Sequence, residues 1–187
     1  MMIKAAYRVL SLEQSHPVTV SAICAQAGLS TRSFYRHFRS KDDLLLAVLT
    51  EETNRAADEL ADRLRKAGPP MAGLEEWIRF FLSLSSEPRR RRRVKVMDSP
   101  EIIRAVGYAA TMEQISARHR DPLVLILRQG AADGSFRTST PESDAAIIQD
   151  IVMNASFRRR RESVDENHHI GFAQIIDFVS RAIGPDS

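Results

Sequence analysis

The chain has 187 residues, enough for one or two domains with a real core. Its 27 lysines and arginines against 24 acids leave a net charge of only +3, so it is not a polycation. A single cysteine excludes an internal disulfide, no apolar run approaches the roughly 20 residues that span a membrane, and no signal-peptide pattern opens the chain.

A cytoplasmic protein with no membrane partner is the expectation. Strand signals are nearly absent, and helical periodicity bounded by Pro and Gly runs almost throughout, which predicts an all-α fold. The first helix is expected over about 3–14, ended by His16-Pro17. Thr19 then suits an N-cap, and Val20, Ile23 and Ala27 recur at helical spacing. Gly28 stands where a helix-ending residue with positive φ is wanted. Ser30 caps the next helix, over 31–38, where Phe34 and Phe38 are four apart and share a buried face.

Thr31, Arg32, Ser33, Tyr35, Arg36 and His37 fall elsewhere around that short helix. Hydroxyls, guanidinium and imidazole on one surface suit phosphate oxygens and base edges. The pair is therefore read as a helix-turn-helix, with residues 31–38 as the recognition helix. Arg32, Ser33 and Arg36 are the candidates for base contact. Charge distribution agrees: residues 1–47 carry six basic groups against three acids (Glu13, Asp42 and Asp43), a compact basic end on a near-neutral body.

Ser40 with Asp43 three residues on starts a fourth helix in the manner of a capping box, and it runs to about Lys66. A fifth is expected over about 71–86. Another opens at Ser99-Pro100-Glu101 and continues to Gly134, with Pro122 kinking or splitting it. Thr140-Pro141-Glu142 opens the next, to about Arg160, and the last runs from about His168 to Ile183. The sequence divides into a helix-turn-helix domain, 1–46, and a helical bundle, 47–187.

The last two helices are apolar on more than one face, where a surface helix needs one stripe. Ile148, Ile151, Val152 and Ala155 on one, with Phe172, Ile175, Phe178 and Val179 on the other, are the candidates for a two-fold homodimer interface, a four-helix bundle with two helices from each copy. The alternative is that both helices are central in a monomer core. Trp77, Phe81, Met97, Tyr108 and Met112 on the middle helices are candidates to line a largely apolar effector cavity, or are simply core.

The first 50 residues resemble the TetR family of transcriptional regulators. Ile3-Lys4-Ala5-Ala6, Thr19-Val20, Ile23, Ala27-Gly28-Leu29-Ser30, Tyr35, Phe38, Ser40-Lys41 and Leu44 stand at the family spacing. The resemblance implies an N-terminal DNA-binding domain, a larger C-terminal domain with an effector pocket, and dimerisation through the last two helices. It also implies phosphate contacts by Tyr35, His37 and Lys41. The chain departs from the family in beginning almost within the first helix and in carrying Gln14 where a glycine is usual.

Arg89 to Arg93 and Arg158 to Arg161 are runs that bind an anion or form a solvated face; the second also complements a helix C-terminus. An anionic effector head is expected to use Arg90 or Arg93 at most, because consecutive helical residues diverge around the axis. His168 and His169 are adjacent and make a poor metal pair, and neither metal nor cofactor is expected. There is no nucleophile elbow and no phosphate-cradling glycine loop, so an enzyme is not expected. The function read from sequence is a ligand-responsive repressor that binds a near-palindromic double-stranded operator as a dimer and is released by a small molecule. The alternatives are a DNA-binding regulator without an effector and, more remotely, a helical enzyme.

Overall fold

The computed structural model describes residues 1–12, 18–161 and 170–184, with the side chains of residues 160 and 161 left out. The described residues form ten helices and no strand: α1 (Met2–Ser11), α2 (Val20–Ala27), α3 (Thr31–Tyr35), α4 (Lys41–Ala67), α5 (Pro70–Ser86), α6 (Pro88–Met97), α7 (Pro100–Ile103), α8 (Tyr108–Asp133), α9 (Pro141–Arg161) and α10 (Phe172–Ile183). None of them is long and apolar enough to cross a membrane.

The expected end of the first helix, at Gln14 to Pro17, and the pair His168-His169 lie outside the described residues. The arginine run at 89–93 lies inside a helix of its own, α6. One expectation is corrected. The single helix expected from 100 to 134 is two, because the chain turns at Arg104–Gly107, where Gly107 takes φ +95°. A non-glycine residue strains at that φ. Pro122, by contrast, does not end α8, which continues through it to Asp133.

Packing gathers the residues into two compact units, Met1–Arg55 with Arg92–Ile115, and Ala56–Arg91 with Ser116–Ser187. Packing groups residues 92–115 with the N-terminal helices.

In the first unit α1 presents Met2, Ala5, Ala6 and Val9 at helical spacing, and all are buried. They join Ile23 and Cys24 of α2, Phe34 of α3, and Leu44, Leu45, Val48 and Leu49 of α4 in one core. Cys24 packs there as a small apolar side chain.

In the second unit α5 packs on α9 and α10. Trp77, Ile78, Phe80 and Phe81 of α5 are fully enclosed. The Trp77 indole N–H donates to the His119 carbonyl at 3.0 Å. Arg63 and Arg90 lie over the Phe80 ring, 5.5 and 5.0 Å from its centroid. Glu59 pairs with both guanidinium groups, so they form a partly buried ion network.

Candidate nucleic-acid interface

The α2–α3 pair is built from local hydrogen bonds. The Thr19 hydroxyl accepts from the Ala22 N–H at 3.1 Å and caps α2. Gly28 ends α2 at φ 65° and ψ 33°. The Leu29 N–H donates to the Cys24 carbonyl at 2.9 Å and the Gly28 N–H to the Ala25 carbonyl at 3.2 Å, the two bonds of a Schellman closure. No atom lies within 4 Å of a Cβ built on Gly28, so the left-handed backbone, not space, requires glycine here. Ser30 restarts the helix two residues on by accepting from the Ser33 N–H at 3.2 Å.

α3 is shorter than expected. It ends at Tyr35, although the His37 and Phe38 N–H groups still donate to the Phe34 carbonyl at 2.9 and 3.0 Å. The chain then prepares α4. The Ser40 hydroxyl accepts from the Asp43 N–H at 3.0 Å, and the Asp43 carboxylate accepts from the Arg39 N–H at 3.0 Å. That is the reciprocal logic of a capping box, moved one residue outward.

Phe34 anchors the surface, fully buried and edge-on to Tyr35 at 5.0 Å between centroids. On the outer side Thr31, Arg32, Arg36 and His37 are exposed, Ser33 is half-buried, and Tyr35 is 63% exposed, a large aromatic left in water. Ser30, Arg32, Ser33, Tyr35 and Arg36 line one cleft of about 570 Å³. Thr19 uses a hydroxyl lone pair as its cap, which leaves its O–H proton able to donate to an outside acceptor, whereas the Ser30 hydroxyl also shares a hydrogen bond with the Ser33 hydroxyl at 3.2 Å.

Lys41 is half-buried, and its ammonium donates to the Val18 carbonyl at 3.2 Å, just ahead of the Thr19 cap. Two further protons stay available on the same nitrogen. One organising contact escaped the sequence. The Asp42 carboxylate accepts from the Val106 N–H at 3.0 Å and ties the turn before α8 to the start of α4. Its partners are 64 residues apart, and nothing local marks them.

The five candidate effector residues divide between the two cores. Trp77 and Phe81 sit in the core of the second unit, ring on ring at 4.5 Å. Met97, Tyr108 and Met112 pack against the core of the first. Spacing along a sequence carries no information on which core a helix joins. Arg90 is committed to Glu59 and to Glu87, the latter at 2.7 Å.

Five of the eight candidate interface residues also turn inward. Ile148, Val152, Ala155, Ile175 and Val179 belong to the core of their own unit, because that stripe of each helix meets α5 or its neighbour. Ile151 and Phe172 are half-buried, Arg79 covers the Phe172 ring at 3.7 Å, and Phe178 is exposed. Ile147, which the sequence places among the apolar residues crowding α9 but not among the interface candidates, is exposed. It lies one position from the buried Ile148, and a run of adjacent apolar residues hides which one faces out.

The model of the bacterial regulatory proteins of the TetR family matches residues 2–48. The HTH-type transcriptional repressor KstR2 of Mycolicibacterium smegmatis is 25% identical over 142 residues. That match covers 74% of this chain and 66% of the repressor, just under two thirds of its length. A transcriptional regulator from Cytophaga hutchinsonii superposes with a TM-score of 0.74 at 16% identity, over 98% of this chain and 96% of that one. A regulator from Saccharomonospora viridis, solved in complex with choline, does so with 0.72 at 18% identity, over 99% and 96%. At those identities the two structures speak for the all-α fold alone.

Proposed function

We propose that this chain, a TetR-family transcriptional regulator by its N-terminal residues 2–48, acts in the cytoplasm as a homodimeric repressor that leaves its operator when a small molecule binds. The observation that carries the reading is the α3 surface: two arginines, a tyrosine and two serines around one cleft, set on a buried Phe34. Arginine pairs bidentately with guanine, while hydroxyls and Tyr35 suit backbone phosphates. The repressor sense follows the likeness to KstR2.

The test begins with DNA selected from a random pool by the purified protein. Arg36→Ala is expected to weaken binding to the selected sequence by roughly 1–3 kcal/mol and to relax preference at one base pair. Lys41→Ala is expected to weaken all sequences alike and lower the salt slope by about one unit. If neither substitution changes affinity at any salt concentration, the recognition assignment is wrong.

Two copies would place their α3 helices in successive major grooves, about 34–36 Å apart. The surface for a second copy would be the outward face of α9 and α10, where Ile147 and Phe178 are 57% and 52% exposed after the core is satisfied. Phe178→Asp is expected to raise the dimer dissociation constant at least about a hundredfold, because it strands a carboxylate in an apolar contact. Light scattering from about 1 to 100 μM reads this range. A wild-type monomer throughout would remove the dimer and the two-half-site model with it.

For the effector, the apolar core of the second unit is the place we favour, with Trp77 and Phe81 as contacts. The reading without an effector draws on the same residues. Trp77 is already packed on Phe81, and Phe81 on the His119 ring at 5.1 Å.

A further inference from the structure

We propose that the N-terminal unit holds a small-molecule site of its own, a cleft between α1, α4 and α6 that takes a small organic anion with an apolar portion. The cleft has a volume of about 360 Å³, within the roughly 300–1,000 Å³ of ordinary ligand sites. All of its lining belongs to the one compact unit. It is separate from the α3 surface and shares no residue with it.

Its charge is unbalanced. Arg55 is held by Glu51 and by Glu52, the latter at 3.2 Å, so those three groups sum to a single negative charge. Against it stand Lys4 and Arg8 of α1 and Arg93 of α6, all exposed, none in an ion pair among the described residues. Lys4 and Arg8 are four residues apart, on one face of α1, where like charges repel. Arg93 adds a third cation to the same concavity. The fold gathers repulsion here that a bound anion would cancel.

The other walls fit an amphipathic occupant. Val48 is buried and Ile3 half-buried, which gives an apolar side. Tyr7 stands between Lys4 and Arg8. Desolvation, with help from the Glu52 charge, holds its phenol above the ordinary range, against the pull of Arg93. At neutral pH it is therefore a protonated donor within reach of the same charges. A carboxylate or phosphate would meet the three cations and this hydroxyl, and a short chain or ring would lie on Val48 and Ile3. Of the five arginines from 89 to 93, this gives Arg93 a task, while Arg90 is spent on its acidic partners.

The site stands whether or not the chain binds DNA, and its test uses none. Isothermal titration of the full chain at low ionic strength would compare phenyl phosphate, inorganic phosphate and benzyl alcohol. Phenyl phosphate is expected to bind once per chain and at least tenfold more tightly than either of the others. Arg93→Gln and Lys4→Gln, both at exposed positions, are each expected to weaken it about tenfold with an unchanged circular dichroism spectrum. No binding of phenyl phosphate up to 10 mM overturns the proposal, as does an affinity unmoved by both substitutions. Equal affinity for inorganic phosphate removes the apolar wall, and equal affinity for benzyl alcohol removes the anion; either result also refutes the site as stated.

Discussion

Phe34→Ala is expected to cost the N-terminal unit about 3–5 kcal/mol and to abolish DNA binding with it. Phe34 is the α3 side chain that reaches the core, with 0% of its surface exposed. It meets Phe38 at 5.7 Å and Tyr35 at 5.0 Å between ring centroids. α3 has five residues, too few to persist as a helix without packing. Its caps at Ser30 and Arg36 position it, but only Phe34 holds it down. Native stability is typically 5–15 kcal/mol, so a loss of this size opens the module a substantial part of the time.

Tyr35→Ala separates the two roles. Tyr35 is mostly exposed, so its removal is expected to leave stability within about 1 kcal/mol while lowering DNA affinity. Hydrogen exchange of peptides covering residues 18–49, read by mass spectrometry, is the appropriate measurement, because a chain with two compact units need not melt in one step. Exchange in that segment unchanged by Phe34→Ala would refute the anchor role.

The reading module was legible because its signals are short-range. Thr19 caps α2 three residues ahead, Gly28 closes it through bonds to Cys24 and Ala25, and Ser30 caps α3 three residues ahead. Each device is complete within six residues, so a window of sequence contains the whole cause. The bounds of the helix that carries the arginine run were not legible. α6 has almost no apolar periodicity to announce it, and two buried valines, Val94 and Val96, are not enough. The inward face of α9 was illegible for a different reason. α9 shows little contrast between its faces, and only the position of α5 decides that Ile148 and Val152 go in while Ile147 stays out. α10, by contrast, is strongly one-sided, with Ile175, Val179 and Ile183 on its buried stripe. The grouping of Met112 with one core and Trp77 with the other belongs to the same class of long-range information.

Trp77→Ala is expected to cost the second unit about 3–5 kcal/mol, and the void it leaves is expected to accept indole. Trp77 is fully enclosed, with its ring 4.5 Å from that of Phe81. The substitution removes that tilted ring contact, the hydrogen bond to the His119 carbonyl and the transfer free energy of a whole indole. Phe80, Phe81 and Leu74 are themselves close-packed, so the walls close only partly over the gap. A cavity penalty of about 24 cal/mol per Å³ adds to the loss.

Trp77→Phe keeps most of the volume and is expected to cost half as much or less. Thermal unfolding followed by circular dichroism at 222 nm reads both variants. Indole bound only by the folded alanine variant would recover about 1.4 kcal/mol at ten times its dissociation constant, with no such gain for the wild type. A Trp77→Ala protein within about 1 kcal/mol of wild type would refute the core role. If the variant is destabilised but indole does nothing, the surrounding helices have collapsed into the space. The second unit would then be too plastic to hold a preformed effector cavity at Trp77 and Phe81, and the reading without an effector would gain accordingly.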